Sequence, residues 1–509
     1  MENPKKIIII GAGIAGLSAG IYAQKNGFIS EIFEKNPNNG GLCTSWVRKN
    51  HVIDGCVHWL TGTKENTDIN QMWHDVDAFD QEDIIRGDNF GSIEYEGKVF
   101  TFWNDLDKLE KEMLEISPKD KRRIRKTKKY IIKFFNMPLP VDKPMSTMNI
   151  FDFIKIGFSM LPYLPAFLYA INVSQSHYAN KFKSKYLRYV MSRIVPGDGN
   201  LYASLYAYGT VALGNGGVPR GGSSYLIKRM VNEYLRCGGV IHNNSEVKEL
   251  LMKKKEVIGI KLENGKQYTA DYYITSCDAF EATRKFLKNK HQDNRIVKRF
   301  IKKEEYPLPS CVYVSFLVDQ KKLKELNLTT TYEFPCEPLN IATRVEDSIK
   351  IRDYSFDPMF VGNDGRVLLN VLIHQNDKDF YYWKNLHSDY KVYLAKKMEI
   401  ANEIKDRIEK HFPSLKGELE IIDVCTAMTY KRYVNAHRGA YMPWSFTARG
   451  SQLLHNSKLS GIKNLIFSGQ WTIMPGGLPI ALMSGKFAIQ ILSKKEHKPV
   501  MLLNNLSYK

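Results

Sequence analysis

Residues 5–36 read KKIIIIGAGIAGLSAGIYAQKNGFISEIFEKN. The run at 7–10 has the continuous β-branched character of a parallel strand covered on both faces. A glycine turn follows, then small and apolar residues suited to a helix, then a second strand that ends in Glu34. This order is the outline of a βαβ unit that binds a dinucleotide. Gly11 admits the tight turn, Gly13 lets the backbone approach a pyrophosphate, and Gly16 lets helix and strand pack closely. Ile14 and Ala15 open the helix, whose free N–H groups and positive dipole end suit phosphates. Glu34, with Lys35 beside it, stands about 20 residues on, near the place of an acid that binds a ribose hydroxyl. A chance glycine turn would lack the flanking strand and the acid.

Further anchors lie along the chain. Gly40-Gly41-Leu42-Cys43 follows the acid, and residues 52–59, VIDGCVHW, end in His58 and Trp59. Pro219-Arg220-Gly221-Gly222 stands centrally. Near the other end residues 468–479 read SGQWTIMPGGLP, with Gly469, Gln470, Gly476, Gly477 and Leu478. Together these motifs resemble those of the phytoene desaturase, carotenoid isomerase and retinol saturase family of FAD oxidoreductases. The resemblance spans nearly the whole chain; it is specific for FAD and much less so for substrate. It implies an α/β fold: a discontinuous Rossmann-type, glutathione-reductase-like FAD domain, with a strand-rich substrate domain and a helical subdomain. It also implies that Val247 holds the adenine through backbone groups.

The chain departs from the family pattern in three places. Leu42 stands where many relatives carry Arg. The terminal motif is one glycine shorter than PGGGLPG and ends in Ile480. Ala427 takes the place of a frequent Pro. The terminal motif also has a physical reading of its own. Pro479 suits a first helical turn. Gly476 and Gly477 let the backbone approach a flat ligand. A helix from Pro479 to about Leu492 would aim its positive end at a flavin and stabilise the charge of the reduced ring. The alternative is a buried terminal helix with a glycine-rich entry.

The 509 residues suffice for two or three domains. Hydrophobic content of 43% and charged content of 25% are those of a globular protein. Seven cysteines without a CxxC are read as reduced thiols of a cytoplasmic protein. No HExxH or Cys/His cluster indicates a metal. The first strand begins too early to follow a targeting sequence, so a cytoplasmic location is expected, with peripheral membrane attachment as the variant. The formal charge of +19 favours anionic partners. Its densest run, KDKRRIRKTKK at 119–129, fits a helix with Ile124, Ile131 and Phe135 on one face. That helix is either an ordinary solvated face or an anionic-membrane contact. Nucleic acid is not an expected partner, because no recognition motif accompanies the charge.

Residues 151–173, FDFIKIGFSMLPYLPAFLYAINV, are apolar and aromatic, but Lys155, Pro162 and Pro165 interrupt them. They make a poor membrane-spanning helix. Two short helices that dip into a bilayer or roof a tunnel, or an ordinary buried subdomain, both fit. In the resembling family, lipid-like substrates are thought to enter through such a subdomain.

The expected organisation is a discontinuous FAD-binding domain built from residues 1–64, 220–290 and 460–493. A helical and substrate insertion at 65–219 separates the first two of these segments, and a substrate domain at 291–459 separates the last two. A tail at 494–509 ends the chain. With one GxGxxG there is no separate NAD(P)H domain. The expected activity is FAD-dependent desaturation, saturation or isomerisation at C–C or C=C bonds. Its substrate would be elongated and hydrophobic, such as an isoprenoid, carotenoid, retinoid or fatty acyl chain. His58 is the candidate proton donor or acceptor, and also a candidate cofactor contact. Tyr430, Tyr433, His437, Arg438 and Tyr441 form a candidate cavity lining, and Trp471 a candidate wall. Two alternatives stay open: a flavin amine oxidase, and a non-enzymatic prenyl-lipid-binding protein of the GDP dissociation inhibitor type.

Overall fold

The computed structural model describes residues 3–288, 293–445, 447–451, 454–459 and 461–499. The tail expected at 494–509 lies outside the described residues from 500 onward.

The β-branched run forms strand Lys6–Ile10, the centre of a five-stranded parallel sheet. The order across it is Val240–His242, Ile29–Phe33, Lys6–Ile10, Tyr272–Thr275 and Leu465–Phe467. Strands from three distant stretches of the chain therefore complete one sheet. Helix Ile14–Lys25 is buried at every residue from Ile14 to Ala23, which accounts for its small, apolar sequence. Helix Gly222–Arg236 and the terminal helix Leu478–Lys495 share its core. An antiparallel meander, Val247–Lys253, Glu256–Leu262 and Gln267–Tyr268, closes one side of this unit, and its turn uses the expected Asn264-Gly265.

A seven-stranded sheet forms the second layer. Its order is Glu420–Cys425, Ser310–Asp319, Arg366–Gln375, Arg344–Asp353, Thr331–Ile341, Asn89–Tyr95 and Lys98–Trp103. The last two strands come from the stretch read as helical, because Tyr332 and Glu333 pair in parallel with Ser92 and Ile93. Alternation along the strands divides the residues between two faces. Val314, Phe316, Val371 and Ile349 share a core with Ile400, Ile404 and Ile408 of helix Tyr390–His411. The opposite face carries Cys311, Tyr313, His374, Asn370, Lys350 and Arg352.

The helices between residues 106 and 212 form a subdomain around an aromatic core. The basic run becomes helix Lys121–Phe135, with Ile124, Ile131 and Phe134 buried; Phe134, not the expected Phe135, completes the inward face. The apolar stretch becomes two helices, Ile150–Met160 and Leu164–Ile171, bent by 82°. Among the described residues no single helix is long and apolar enough to cross a membrane.

Candidate functional site

The candidate residues collect beyond the carboxyl ends of the parallel strands, where ligands bind in such sheets. Gly11 follows Ile10, Glu34 follows Phe33, Cys277 and Asp278 follow Thr275, and Gly469 follows Phe467. Gly40 donates its N–H to Ala12 O at 2.8 Å and so brings Gly40 and Gly41 against Gly13.

The glycines of these loops are of two kinds. A Cβ on Gly16 would stand 1.9 Å from Gly11 O, so this glycine is demanded by the protein itself. A Cβ on Gly13 would meet nothing nearer than Gly40 O at 3.6 Å, and one on Gly477 nothing nearer than 3.8 Å. At these two glycines the protein itself makes no contact that would exclude a Cβ. Helices Ile14–Lys25 and Leu478–Lys495 both begin without a side-chain cap and without an acid in the first turn. Their early turns meet: Ser18 Oγ donates to Leu482 O at 2.7 Å, and Gly485 packs on Ala15 and Ala19. Two sets of unpaired helical N–H groups thus converge on one region. This cradle fits the two phosphates and flat rings of a dinucleotide.

Glu34 is buried. Its Oε2 accepts the N–H of Ala12 at 2.9 Å, and its Oε1 accepts both the N–H and Nδ2 of Asn36 at 2.9 Å. The carboxylate fixes the glycine loop, while Oε2 retains a lone pair for a hydroxyl. Ser245 donates its N–H to Glu34 O at 2.7 Å, and this places the start of strand Val247–Lys253 beside the acid. Lys35 is directed elsewhere. Its Nζ donates to Asn435 Oδ1 at 2.8 Å and to Arg432 O at 3.1 Å. Asn36 Nδ2 reaches Tyr433 O at 3.0 Å, so the turn at 432–435 covers this corner.

At the opposite end, Gln470 ties two segments together. Its Oε1 accepts the N–H of Gly477 at 3.2 Å, and its Nε2 donates to Tyr441 O at 3.4 Å. Gly469 donates its N–H to Ser484 Oγ of the terminal helix at 2.8 Å. Trp471 is buried against Trp444 and Phe300, in keeping with a wall. Leu42 is half-buried next to the Gly40-Gly41 doublet.

The central Pro-Arg-Gly-Gly motif has a clear role. Asp54 accepts the N–H groups of Cys56, Val57 and Ser223 and the Ser223 hydroxyl, while Asp357 accepts the N–H of Gly221. Helix Gly222–Arg236 is thereby capped by carboxylates from two other segments, and residues 55–58 are fixed in place.

His58 is half-buried, and its ring has no hydrogen-bond partner among the described residues. Burial, with Arg352, His374 and Lys350 nearby, lowers its pKa to about 3. The imidazole is therefore neutral near pH 7 and, with so low a pKa, a weak base that can exchange hydrogen bonds without carrying charge. Arg352 Nη2 donates to His58 O at 2.9 Å. Trp59 packs on Phe90 at 5.4 Å between ring centroids. Sequence reasoning missed His374, whose Nδ1 lies 2.7 Å from the Tyr441 phenol and whose pKa burial also lowers to about 3. It missed Asp278 as well, which accepts the N–H of His437 and which burial raises to about 7.

The cluster expected to act as one lining is divided. Tyr430 and Tyr441 are inward, with the Tyr430 phenol 3.4 Å from Cys311 Sγ. His437 stacks on Phe280, Arg438 pairs with Asp377, and Tyr433 is exposed. All seven cysteines are free thiols. No group of metal-binding side chains occurs among the described residues.

A two-layer protein with a dinucleotide cradle at the carboxyl ends of a parallel sheet is a nucleotide-dependent α/β protein. Comparison with known families narrows the class. Residues 14–490 match the model of the flavin containing amine oxidoreductases, and the chain belongs to that family. The cofactor of this family is a flavin, and the glycine cradle and Glu34 fit the dinucleotide of FAD. Among curated proteins it is similar to a lycopene-forming phytoene desaturase of Paracoccus sp., 26% identical over 297 residues, 56% of each chain. It is also similar to a 4,4'-diapolycopene-forming diapophytoene desaturase of Methylomonas sp., 21% identical over 97% of this chain and 96% of that one. The chain spans 56% of the length of the Paracoccus protein and 55% of that of a neurosporene-forming phytoene desaturase of Rhodobacter capsulatus. Among solved structures, an oxidoreductase of Methanosarcina mazei superposes with a TM-score of 0.60 at 16% identity, over 95% of this chain and 100% of that one. A redesigned putrescine oxidase gives 0.59 at 12% identity, over 96% of this chain and 99% of that one. These two likenesses concern the fold.

Proposed function

We propose that this enzyme desaturates, saturates or isomerises C–C or C=C bonds of an elongated hydrophobic substrate, an isoprenoid, carotenoid, retinoid or fatty acyl chain. The observation that carries this reading is a run of aromatic rings from the outer helices to the site. Phe167 of the bent helix pair packs on Tyr202 at 5.0 Å between ring centroids, and helix Leu201–Ala212 carries Tyr202, Tyr206 and Tyr208 inward. Tyr208 then packs on Phe90 at 5.6 Å and Phe90 on Trp59, beside His58. The names of the relatives agree with such a substrate.

In this reading the five-stranded unit, assembled from three chain segments, is the FAD domain, and the seven-stranded sheet with the helical subdomain takes the substrate. Gly11, Gly13, Ile14, Ala15 and Gly16 face the pyrophosphate, with Gly40, Gly41 and Leu42 opposite. Glu34 takes the ribose and Val247 borders the adenine. Gly469, Gln470, Gly476, Gly477 and Leu478 carry the flavin end, where the terminal helix dipole offsets negative charge. When bound, the flavin supplies the hydride chemistry. His58 is the candidate for the proton step and serves as a base only where the bound substrate raises its low pKa toward neutrality, and Trp59 keeps water out.

The outer helices support attachment to an anionic membrane. Helix Ile150–Met160 has no buried residue, and Phe151 and Phe158 are 76% and 70% exposed. Basic residues 125, 128, 129 and 133 line a groove with Pro162 and Tyr163, so positive charge borders the apolar patch. Amine oxidation is less well served, since Arg352 and Lys350 beside His58 would repel an ammonium group.

Flavin reduction decides between the readings. Polyenes, retinoids or unsaturated acyl chains should alter or reduce the bound flavin, whose heat-released form should chromatograph as FAD. Faster reduction by polar amines would replace this reading with the amine oxidase one. A colourless protein that binds prenyl lipid would replace it with the GDP dissociation inhibitor type.

A further inference from the structure

The site-facing side of the seven-stranded sheet carries more positive charge than a neutral hydrocarbon requires. Lys350 pairs with Glu333 at 2.9 Å, Arg193 with the same carboxylate at 3.2 Å, and Arg344 lies 3.7 Å from Glu346. Arg352 differs from all three. Among the described residues no carboxylate is within ion-pair reach of it. Its Nη2 donates to His58 O at 2.9 Å and its Nη1 stands 3.5 Å from Thr331 Oγ1, both neutral acceptors. Its Nε is buried and has no hydrogen-bond partner. The neighbouring Asp353 does not serve it, because that carboxylate accepts the N–H and hydroxyl of Ser355 at 2.6 Å. The rings of Tyr354 and Phe356, 5.2 and 5.5 Å from the guanidinium carbon, hold the side chain in place.

A guanidinium has five N–H donors, and here most of them lack an acceptor. Leaving a partly buried charge unpaired is costly, and a planar fork is the geometry that receives a carboxylate in two parallel hydrogen bonds. The residue sits against His58, where the aromatic run from the surface ends. We propose that Arg352 receives the carboxylate of an acidic lipid, which enters head first with its apolar chain lying back along Trp59, Phe90 and Tyr208. The inference rests on the substrate site argued above and narrows its occupant from neutral polyenes to chains with an acidic end. The reacting bond is then set by its distance from the acid.

The test uses the FAD-loaded full-length protein, with oleate and oleyl alcohol as probes of equal length, read by the change in flavin absorption. Oleate should bind at least about tenfold more tightly than the alcohol at neutral pH and low salt. Arg352→Met should abolish that preference and Arg352→Lys should keep some of it, with the ratio of FAD to protein unchanged. Equal binding of the two probes to the native protein, or a preference that survives Arg352→Met, overturns the proposal. So does a shifted flavin reduction potential in Arg352→Met with the oleate preference intact, which would assign the guanidinium to the flavin. If Arg352→Met loses its flavin, the native comparison and Arg352→Lys decide. A neutral polyene that perturbs the flavin where oleate does not sinks this inference alone. Amines that reduce the flavin where no apolar chain perturbs it sink the proposed function with it.

Discussion

The phenol of Tyr441 lies 2.7 Å from Nδ1 of His374, while its own carbonyl accepts the Gln470 side chain at 3.4 Å. One residue thus links the terminal glycine motif to the floor of the seven-stranded sheet. The two links can be separated by mutation. Tyr441→Phe deletes the contact with His374 and keeps the carbonyl. FAD content should stay near that of the native protein while turnover falls about tenfold. His58→Gln should cost about a hundredfold or more if His58 moves the proton. Turnover and the ratio of FAD to protein, measured on the same preparations, check both. Loss of flavin with His58 would make that residue a cofactor contact.

Gly13 and Gly16 should fail in different ways. Gly13 has an ordinary φ of −80°, and a Cβ there would make only ordinary van der Waals contact with Gly40 and Gly41. Gly13→Ala should leave the flavin-free protein about as stable as native apoprotein, yet weaken FAD binding strongly, because the methyl group enters the pyrophosphate's space. Gly16→Ala drives a methyl group into Gly11 O and should cost about 1–3 kcal/mol or more in the apoprotein itself. Thermal unfolding of both apoproteins, with FAD titration, distinguishes ligand space from packing.

These contrasts also show what a sequence can disclose. Gly11, Gly13, Gly16 and Glu34 lie in one short stretch, where the local pattern and its spacing carry the chemistry. Helix Gly222–Arg236 and most strands of the first sheet were legible for the same reason. Arg352 and His374 were not. Their approach to His58 and Tyr441 depends on the register that pairs Arg352 with Asn370 and Cys311 with His374, over long separations in the chain. The two strands at 89–103 were hidden likewise, since their partner in the sheet is Thr331–Ile341. The direction of the Lys35 side chain was not legible either, because adjacency to Glu34 says nothing about the turn at 432–435 that draws its ammonium away.

Stability should fall with acid. Burial holds His58, His374 and His437 at about 3 in the folded protein, against an ordinary value near 6.5. A histidine whose pKa is lowered by folding takes up its proton more readily when unfolded. Its stabilisation is complete above about 6.5 and is lost as pH falls toward 3. Asp278, raised to about 7, acts in the opposite sense between its ordinary 3.8 and 7. Three histidines outweigh it above 3.8, and nothing from Asp278 offsets them below. The melting temperature should therefore drop from pH 6.5 downward and most steeply below about pH 4. His58→Gln should flatten that slope. A melting temperature that is level or rising over this range would contradict the assignment.

The outer helices give the remaining prediction. Phe151 and Phe158 project from a helix with no buried residue, and the basic helix Lys121–Phe135 borders the same surface. Burial of a phenylalanine side chain gains about 1.5–3 kcal/mol, and each basic residue near an anionic surface adds about 1 kcal/mol. Replacing both phenylalanines by Asp should weaken binding to phosphatidylserine-containing vesicles more than about a hundredfold. Replacing Arg125 and Lys129 by Gln should weaken it less and reduce its salt dependence. Neither pair touches the nucleotide cradle, so FAD content should be unchanged in both. Flotation with anionic and with neutral vesicles at low and high salt separates the two contributions. Binding that is equal on neutral vesicles at high salt would leave apolar insertion as the whole of the interaction. Binding to neither kind of vesicle would remove the membrane from this account.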